Sequence, residues 1–218
     1  MGRVEKEEVN RKLLHILAIG LPVFIFYGSS WFTFTPVFTV VIVLGLFLFS
    51  LGIDLIRLSD NAMQTWFLNR FGSMLRLEEK SQLTGATYIM AGSFICSCIS
   101  LLDDRYSAAV FLSLTLFILG DAAAALVGKA YGRIKIGKKS VEGALGCFCL
   151  CFFLSFFIFP NLPGFLEKWN GIFNWKDMVM ISLAITLLEF FPLRIGKFTL
   201  NDNLYVPAVA SVLVLVKV

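Results

Sequence analysis

Runs of apolar residues parted by short polar stretches follow one another along this chain. They cover residues 13–27, 34–53, 84–102, 106–127, 144–159, 178–192 and 204–216. An apolar helix of about 20 residues is needed to cross the hydrocarbon of a bilayer. The pattern therefore predicts an all-α polytopic integral membrane protein with about seven transmembrane helices. Between the second and third runs lies a long polar segment, 54–83. Its amphipathic portion, 63–77, is expected to lie along the membrane interface. Pro160, Pro163 and Gly164 mark a turn-rich connection in which Trp169 and Trp175 are expected as interface anchors.

Composition agrees with this pattern. Hydrophobic residues make up 58% of the 218 and charged residues only 16%, against about 25% charged in soluble domains. A soluble domain is excluded, and residues 1–218 read as a single membrane-embedded unit. The first run, followed by Gly28-Ser29-Ser30, would also suit a signal-peptide core and its cleavage site. A retained span is expected instead, because the charged stretch before it carries a patterned helix face.

The net charge of +4 is small, and nothing suggests a nucleic-acid surface. Its placement sets orientation. With the N-terminus inside, the inner segments hold Arg3, Lys6, Arg11, Lys12, Arg57, Arg70, Arg76 and Lys80. They also hold Lys129, Arg133, Lys135, Lys138, Lys139, Arg194 and Lys197. Arg105, Lys168, Lys176 and Lys217 are left for the outside. This bias is what a cytoplasmic N-terminus requires. Among the cysteines, Cys96 and Cys98 share one run and Cys147, Cys149 and Cys151 another. Residues two apart on a helix point in nearly opposite directions, so these read as small buried apolar residues, not as a metal site.

The stretch from Gly120 to Gly143 carries the strongest chemical signal. Asp121 lies inside an apolar run, and five cations with several glycines follow it in a basic loop, 128–143. A carboxylate near the bilayer centre costs at least about 2.5 kcal/mol, so it normally faces a polar cavity. Asp121 is expected either to pair with a cation from another helix or to hold Mg²⁺, a hard cation that takes oxygen ligands and substrate phosphates. Glu142, Glu189 and Asp202 would complete or position that metal site, with Asp121, Glu189 and Asp202 as direct ligands. Lys138 and Lys139 would balance phosphate charge. Gly128, Gly132, Gly137 and Gly143 would let backbone amides approach a ligand. A Walker-type phosphate loop is absent.

The predicted topology puts Asp121, Lys139, Ser140, Glu142, Glu189, Asp202, Asn203, His15, Thr84 and Gly85 on the inner side. Such clustering suggests one site open to a cytosolic ligand and within reach of a lipid headgroup. Glu8, Arg11, Lys12 and His15 share one helix face, as a juxtamembrane charged stripe or as headgroup contacts. His15 is the sole histidine, which excludes a multi-histidine metal site. Asp54 with Arg57, and Arg76 with Glu79, repeat an acid–base spacing of three. Surface pairing is the default for both, and Arg76 also suits a bidentate phosphate clamp.

The ordered set Glu8-x-x-Arg11-Lys12-x-x-His15, Arg76-x-x-Glu79 with Thr84-Gly85, Asp121 with Ala124 and Gly128, Gly132, Lys139-Ser140-x-x-Gly143, Glu189 and Asp202-Asn203 resembles the CTP-dependent lipid kinases. That family includes dolichol kinase, phytol kinase and the CTP-using diacylglycerol kinase. The resemblance covers most of the chain and implies a multi-span helical enzyme. Such an enzyme would move the γ-phosphoryl of CTP to the hydroxyl of a membrane lipid, with a divalent metal. It also implies that Asp121, Lys139, Ser140, Gly143, Glu189 and Asp202 line the nucleotide site. The chain is far shorter than dolichol kinase, and so looks more like the phytol and diacylglycerol kinase branches.

The expectation is thus an Mg²⁺-dependent lipid kinase in a bacterial inner membrane, its site facing the cytosol. Arg76 joins Lys138 and Lys139 in neutralising charge, and deprotonation of the lipid hydroxyl is open between Asp121 and His15. Two other functions are distinguishable. Phosphatidate cytidylyltransferases have a His-Gly-Gly signature that this chain lacks, and their reaction releases pyrophosphate where a kinase releases CDP. A cation-coupled transporter has no need of five clustered cations.

Overall fold

The computed structural model describes residues 15–75, 77–196 and 198–215. Arg11, Lys12 and Arg76, expected at the site, lie outside the described residues, as does Glu8. Nine helices carry the described fold: α1 (Gly20–Phe32), α2 (Pro36–Ser59), α3 (Asn61–Phe71), α4 (Gly85–Ile99), α5 (Asp104–Tyr131), α6 (Val141–Phe153), α7 (Phe165–Lys168), α8 (Trp175–Phe190) and α9 (Asp202–Leu213). Two small hairpins complete it. Strand β1 (Lys135–Ile136) pairs with β2 (Lys139–Ser140), and β3 (Arg194–Ile195) with β4 (Phe198–Thr199), both antiparallel. In the first, Lys135 faces Ser140 and Ile136 faces Lys139.

The centre of the fold is α5. It is apolar all round, and nearly every residue from Ser107 to Ile118 is buried, as a helix without an amphipathic stripe must be. Asp103 caps its start by accepting from the Tyr106 amide at 2.9 Å. The helix then runs to Tyr131, past the point where the sequence suggests a basic loop. Its last turn carries Lys129, a favourable place for a cation. The hairpin returns the chain so that α6 packs antiparallel on α5, and α9 sits among α4, α5 and α8.

The crossing of α5 and α6 is close because small residues line it. A Cβ added at Gly143 would lie 2.6 Å from the Ala124 carbonyl oxygen. One at Gly120 would lie 2.8 Å from Cys147 Sγ, and one at Gly128 2.7 Å from Ser140 Oγ. This is the small-residue packing of membrane helices. The Gly143 amide is also spent, on Ser140 Oγ at 3.1 Å, and the Gly132 amide on the Gly128 carbonyl at 3.0 Å. These three glycines thus serve packing, where amides open to a ligand were expected. Cys96, Cys147 and Cys151 are buried, while Cys98 and Cys149 face outward, as alternation on a helix requires.

Four helical stretches are long and apolar enough to cross a membrane: His15–Phe32, Pro36–Ser59, Asp104–Tyr131 and Val141–Asn161. Gly85–Ile99 is a shorter apolar helix. Only 11% of the apolar window in Pro36–Ser59 is buried within the protein, so its outer face needs lipid as its solvent. Helix α3 has no buried residue and exposes Met63, Trp66 and Phe71.

Two expectations need correction. Trp169 is 2% exposed and packs among Phe165 and Phe173, with ring centroids 5.7 and 4.8 Å away. It is therefore core, whereas Trp175 is exposed. Asp54 and Arg57, expected as a surface pair, are each 1% exposed. Arg57 Nε donates to Asp54 Oδ1 at 2.7 Å. Its other nitrogens donate to the Gln82 and Lys80 carbonyls at 2.5 and 3.5 Å. Asp54 Oδ2 accepts from the Thr84 amide at 2.7 Å, Thr84 Oγ1 at 3.0 Å and Thr87 Oγ1 at 2.7 Å. The pair folds the polar segment back onto α2 and anchors the start of α4.

Candidate active site

Three helices bring acidic groups to one point. Asp121 comes from the middle of α5, Glu189 from the end of α8 and Asp202 from the first turn of α9. One carboxylate oxygen of each lies within 4.8 Å of the other two. Lys139, on β2, enters the cluster from the side. Its Nζ donates to Glu189 Oε1 at 2.6 Å, to Asp202 Oδ2 at 3.3 Å and to the Glu189 backbone carbonyl. The last contact places an ammonium at the C-terminal end of α8, where the helix dipole favours it.

Burial lowers the Lys139 ammonium's affinity for its proton, but Glu189 and Asp202 outweigh this and hold its pKa above the ordinary lysine value. Lys139 is therefore charged at neutral pH. Because the folded pKa is raised, the pair's contribution to stability is complete below the unfolded lysine value and is lost as pH rises through the folded one. Lys139→Met is expected to cost roughly 1–3 kcal/mol at pH 7, since Glu189 would remain buried without its cation. The variant's melting temperature should also lose the wild type's decline at strongly alkaline pH. Thermal unfolding in detergent across a pH series checks both.

The other expected residues take different places. His15 Nε2 lies 3.3 Å from Asp121 Oδ2, so Asp121 faces the acid cluster on one side and α1 on the other. Asn203 Nδ2 donates to the Gly85 carbonyl at 3.2 Å, and Glu79 Oε1 accepts from the Gly85 amide at 3.3 Å. Ser140 is the N-cap of α6. Glu142 is not in the acidic cluster. Its carboxylate accepts from the Ile134 amide at 3.1 and 3.3 Å and so closes the hairpin. Lys138 pairs with Glu78 at 2.8 Å, and both are exposed; such a pair contributes little.

Two features were missed in the sequence. Tyr205 OH donates to the Leu188 carbonyl at 2.9 Å and accepts from the Leu193 amide at 3.2 Å. It thereby fixes the connection that carries both Glu189 and Asp202. A tyrosine inside an apolar run is the available signal, since a buried phenol needs a partner. The second is a cavity of about 730 Å³ beside Asp121, bounded by α1, α2, α3 and α4. Its lining comes from four separated segments, so no single motif announces it.

The start of α6 follows Lys139, and the start of α9 carries Asp202. The N-terminal ends of both helices therefore meet at the cluster, where they favour anions. Three carboxylates against one ammonium leave two negative charges in excess. That oxygen-donor set fits a divalent hard cation such as Mg²⁺.

Comparison with known proteins places this geometry. CTP-dependent diacylglycerol kinase 1 of Saccharomyces cerevisiae is 26% identical over 220 residues, covering 95% of this chain and 72% of that protein. Phytol kinase 1, chloroplastic, of Arabidopsis thaliana is 30% identical over 217 residues, covering 94% of this chain and 64% of that protein. An uncharacterized protein of Methanocaldococcus jannaschii is 30% identical over 137 residues, 62% of this chain and 60% of its own length. The chain thus spans between 60% and 72% of the length of these relatives. No family model matches the chain, and no solved structure matches it.

Proposed function

We propose, from homology to named lipid kinases over nearly the whole chain, that this integral membrane protein phosphorylates the hydroxyl of a membrane lipid with CTP as donor. The homologues are the kinases that the motif order resembles. The observation that carries the proposal is the adjacency of two unlike environments at Asp121. On one side stand Glu189, Asp202 and Lys139, and on the other a largely apolar cavity.

Phosphoryl transfer asks mainly for positioning and charge neutralisation. Asp121, Glu189 and Asp202 are the residues that would hold Mg²⁺, which when bound would neutralise phosphate oxygens. Lys139 supplies a fixed positive charge beside them, and the starts of α6 and α9 supply helix-dipole attraction for the same phosphates. Asn203 and Gly85 tie α9 to α4, so the acidic end keeps its distance from the cavity. The site faces the cytosol in the orientation that the cation bias requires.

The test is direct. Purified protein in lipid nanodiscs, given γ-labelled CTP and a panel of polyprenol, phytol and diacylglycerol, should yield a labelled lipid and CDP. Release of pyrophosphate with a cytidylyl lipid would replace this function with nucleotidyl transfer. No binding of CTP or any other triphosphate in calorimetry would remove it.

A further inference from the structure

The cavity beside Asp121 is polar at one end only. His15, Asp121, Gly85 and Asn203 stand there, while Leu21 and Phe24 of α1, Leu46 and Ile53 of α2, and Ile89 and Met90 of α4 form the walls. On α1 the lining runs from His15 to Phe24, and on α2 from Asp54 back to Leu46. At about 1.5 Å of rise per residue, both give a depth of about 12–14 Å. That is roughly half the hydrocarbon thickness of a bilayer, itself about 30 Å. Leu46 and Ile53 are 41% and 38% exposed, so this wall opens sideways on the lipid-facing side of α2.

Hydrogen-bond donors around the polar end are already engaged among the described residues. Thr84 Oγ1 donates to Asp54, Ser50 Oγ is bonded to Thr87 Oγ1 at 2.7 Å, and Asn203 Nδ2 donates to the Gly85 carbonyl. A diacylglycerol carries two ester carbonyls close to its hydroxyl. In this groove they would leave water or the headgroup layer for apolar walls without a partner, which is costly. A hydroxyl on a plain hydrocarbon chain carries no such burden.

We infer that the groove takes the hydroxyl end of a single-chain, ester-free lipid alcohol of the prenyl type. It holds about the first dozen ångströms of the chain and leaves the remainder in the bilayer. The inference rests on the kinase proposal and sets its acceptor class. Recognition is then concentrated near the hydroxyl, and chain length beyond the groove has little effect.

Gly20 offers a means of testing this. It lines the groove, and a Cβ there meets nothing within 4 Å. Gly20→Leu therefore sends a side chain into the groove without a backbone clash. Gly45, equally open but outside the lining, supplies the matched control Gly45→Leu. In nanodiscs with CTP, a short and a long prenyl alcohol should agree in kcat/KM within about threefold, and a diacylglycerol should be lower by about tenfold or more. Gly20→Leu should raise the acceptor KM about tenfold with the KM for CTP unchanged, and Gly45→Leu should change neither. A diazirine-bearing prenyl alcohol should label α1 and α4 in the wild type and lose that label in Gly20→Leu.

Diacylglycerol as good as the prenyl alcohols would overturn the inference. So would a Gly20→Leu protein that matches Gly45→Leu in KM and labelling. Failure to phosphorylate any lipid would instead sink the kinase proposal. Labelling would then still judge the groove: label lost in Gly20→Leu supports its occupant, and label elsewhere overturns it.

Discussion

Asp121→Asn is expected to lower phosphoryl transfer by roughly a hundredfold to a thousandfold while the protein stays folded. The substitution changes charge and leaves shape almost untouched. An amide retains the capacity to hydrogen-bond His15, whose Nε2 faces Asp121 Oδ2 at 3.3 Å, so the packing of α1 against α5 should survive. What is lost is one of three carboxylates within 4.8 Å of each other, and with it half of the excess negative charge that suits a divalent cation. A second readout separates this from a structural effect. Mn²⁺ binding followed by electron paramagnetic resonance should weaken in Asp121→Asn and in Asp202→Asn. If the three acids act as a unit, the double variant should be far less impaired than the product of the single losses. An Asp121→Asn protein with wild-type activity would refute the assignment.

How far the sequence disclosed this site depends on which interaction made each part. Apolar runs are a local signal, and the helices they predict are present, including the long α5 and the lipid-facing α2. The ends of the helices were harder to read. Gly128 and Lys129 look like the start of a loop, but Gly128 is helical because α6 approaches it there, and Lys129 sits in the last turn of α5. A small residue at every fourth position, Gly120, Ala124 and Gly128, was the available signal of a close crossing.

The hairpins had a signal too. Ile136-Gly137-Lys138 and Ile195-Gly196-Lys197 repeat one pattern, and both glycines adopt a positive φ, 64° and 61°, at the turn of a two-stranded hairpin. The meeting of Asp121, Glu189 and Asp202 was legible only as residues expected on one face of the membrane. Which of the neighbouring acids would be absent from the cluster was not. Glu142 is three residues from Lys139, yet the turn of α6 directs its carboxylate to the Ile134 amide. The Asp54–Arg57 spacing was visible as an ion pair, but its burial depends on Lys80, Gln82 and Thr84 folding over it, contacts that lie 23 to 30 residues away.

That burial gives Asp54→Ala the largest expected loss of stability, about 3–5 kcal/mol. Asp54 accepts four hydrogen bonds, from Arg57, Thr87 and twice from Thr84. Removing it leaves the Arg57 guanidinium, 1% exposed, with only the Gln82 and Lys80 carbonyls and the Phe67 ring, whose centroid is 5.2 Å away. Neither carbonyl cancels a full charge, and a buried unpaired charge is the costly state. Asp54→Asn should cost less, because the amide oxygen can still accept from Thr84. Replacing both residues, as Asp54→Ala with Arg57→Met, should recover part of the loss, and the double-mutant cycle should return a favourable coupling energy. Denaturant titration of the purified protein in mixed micelles measures each value. The effect should also reach the acidic cluster, because Asp54 holds Thr84 and so sets Gly85, whose carbonyl binds Asn203 beside Asp202. A single Asp54→Ala loss below about 1 kcal/mol, the size of an exposed pair, would mean that the polar segment does not pack on α2 as described.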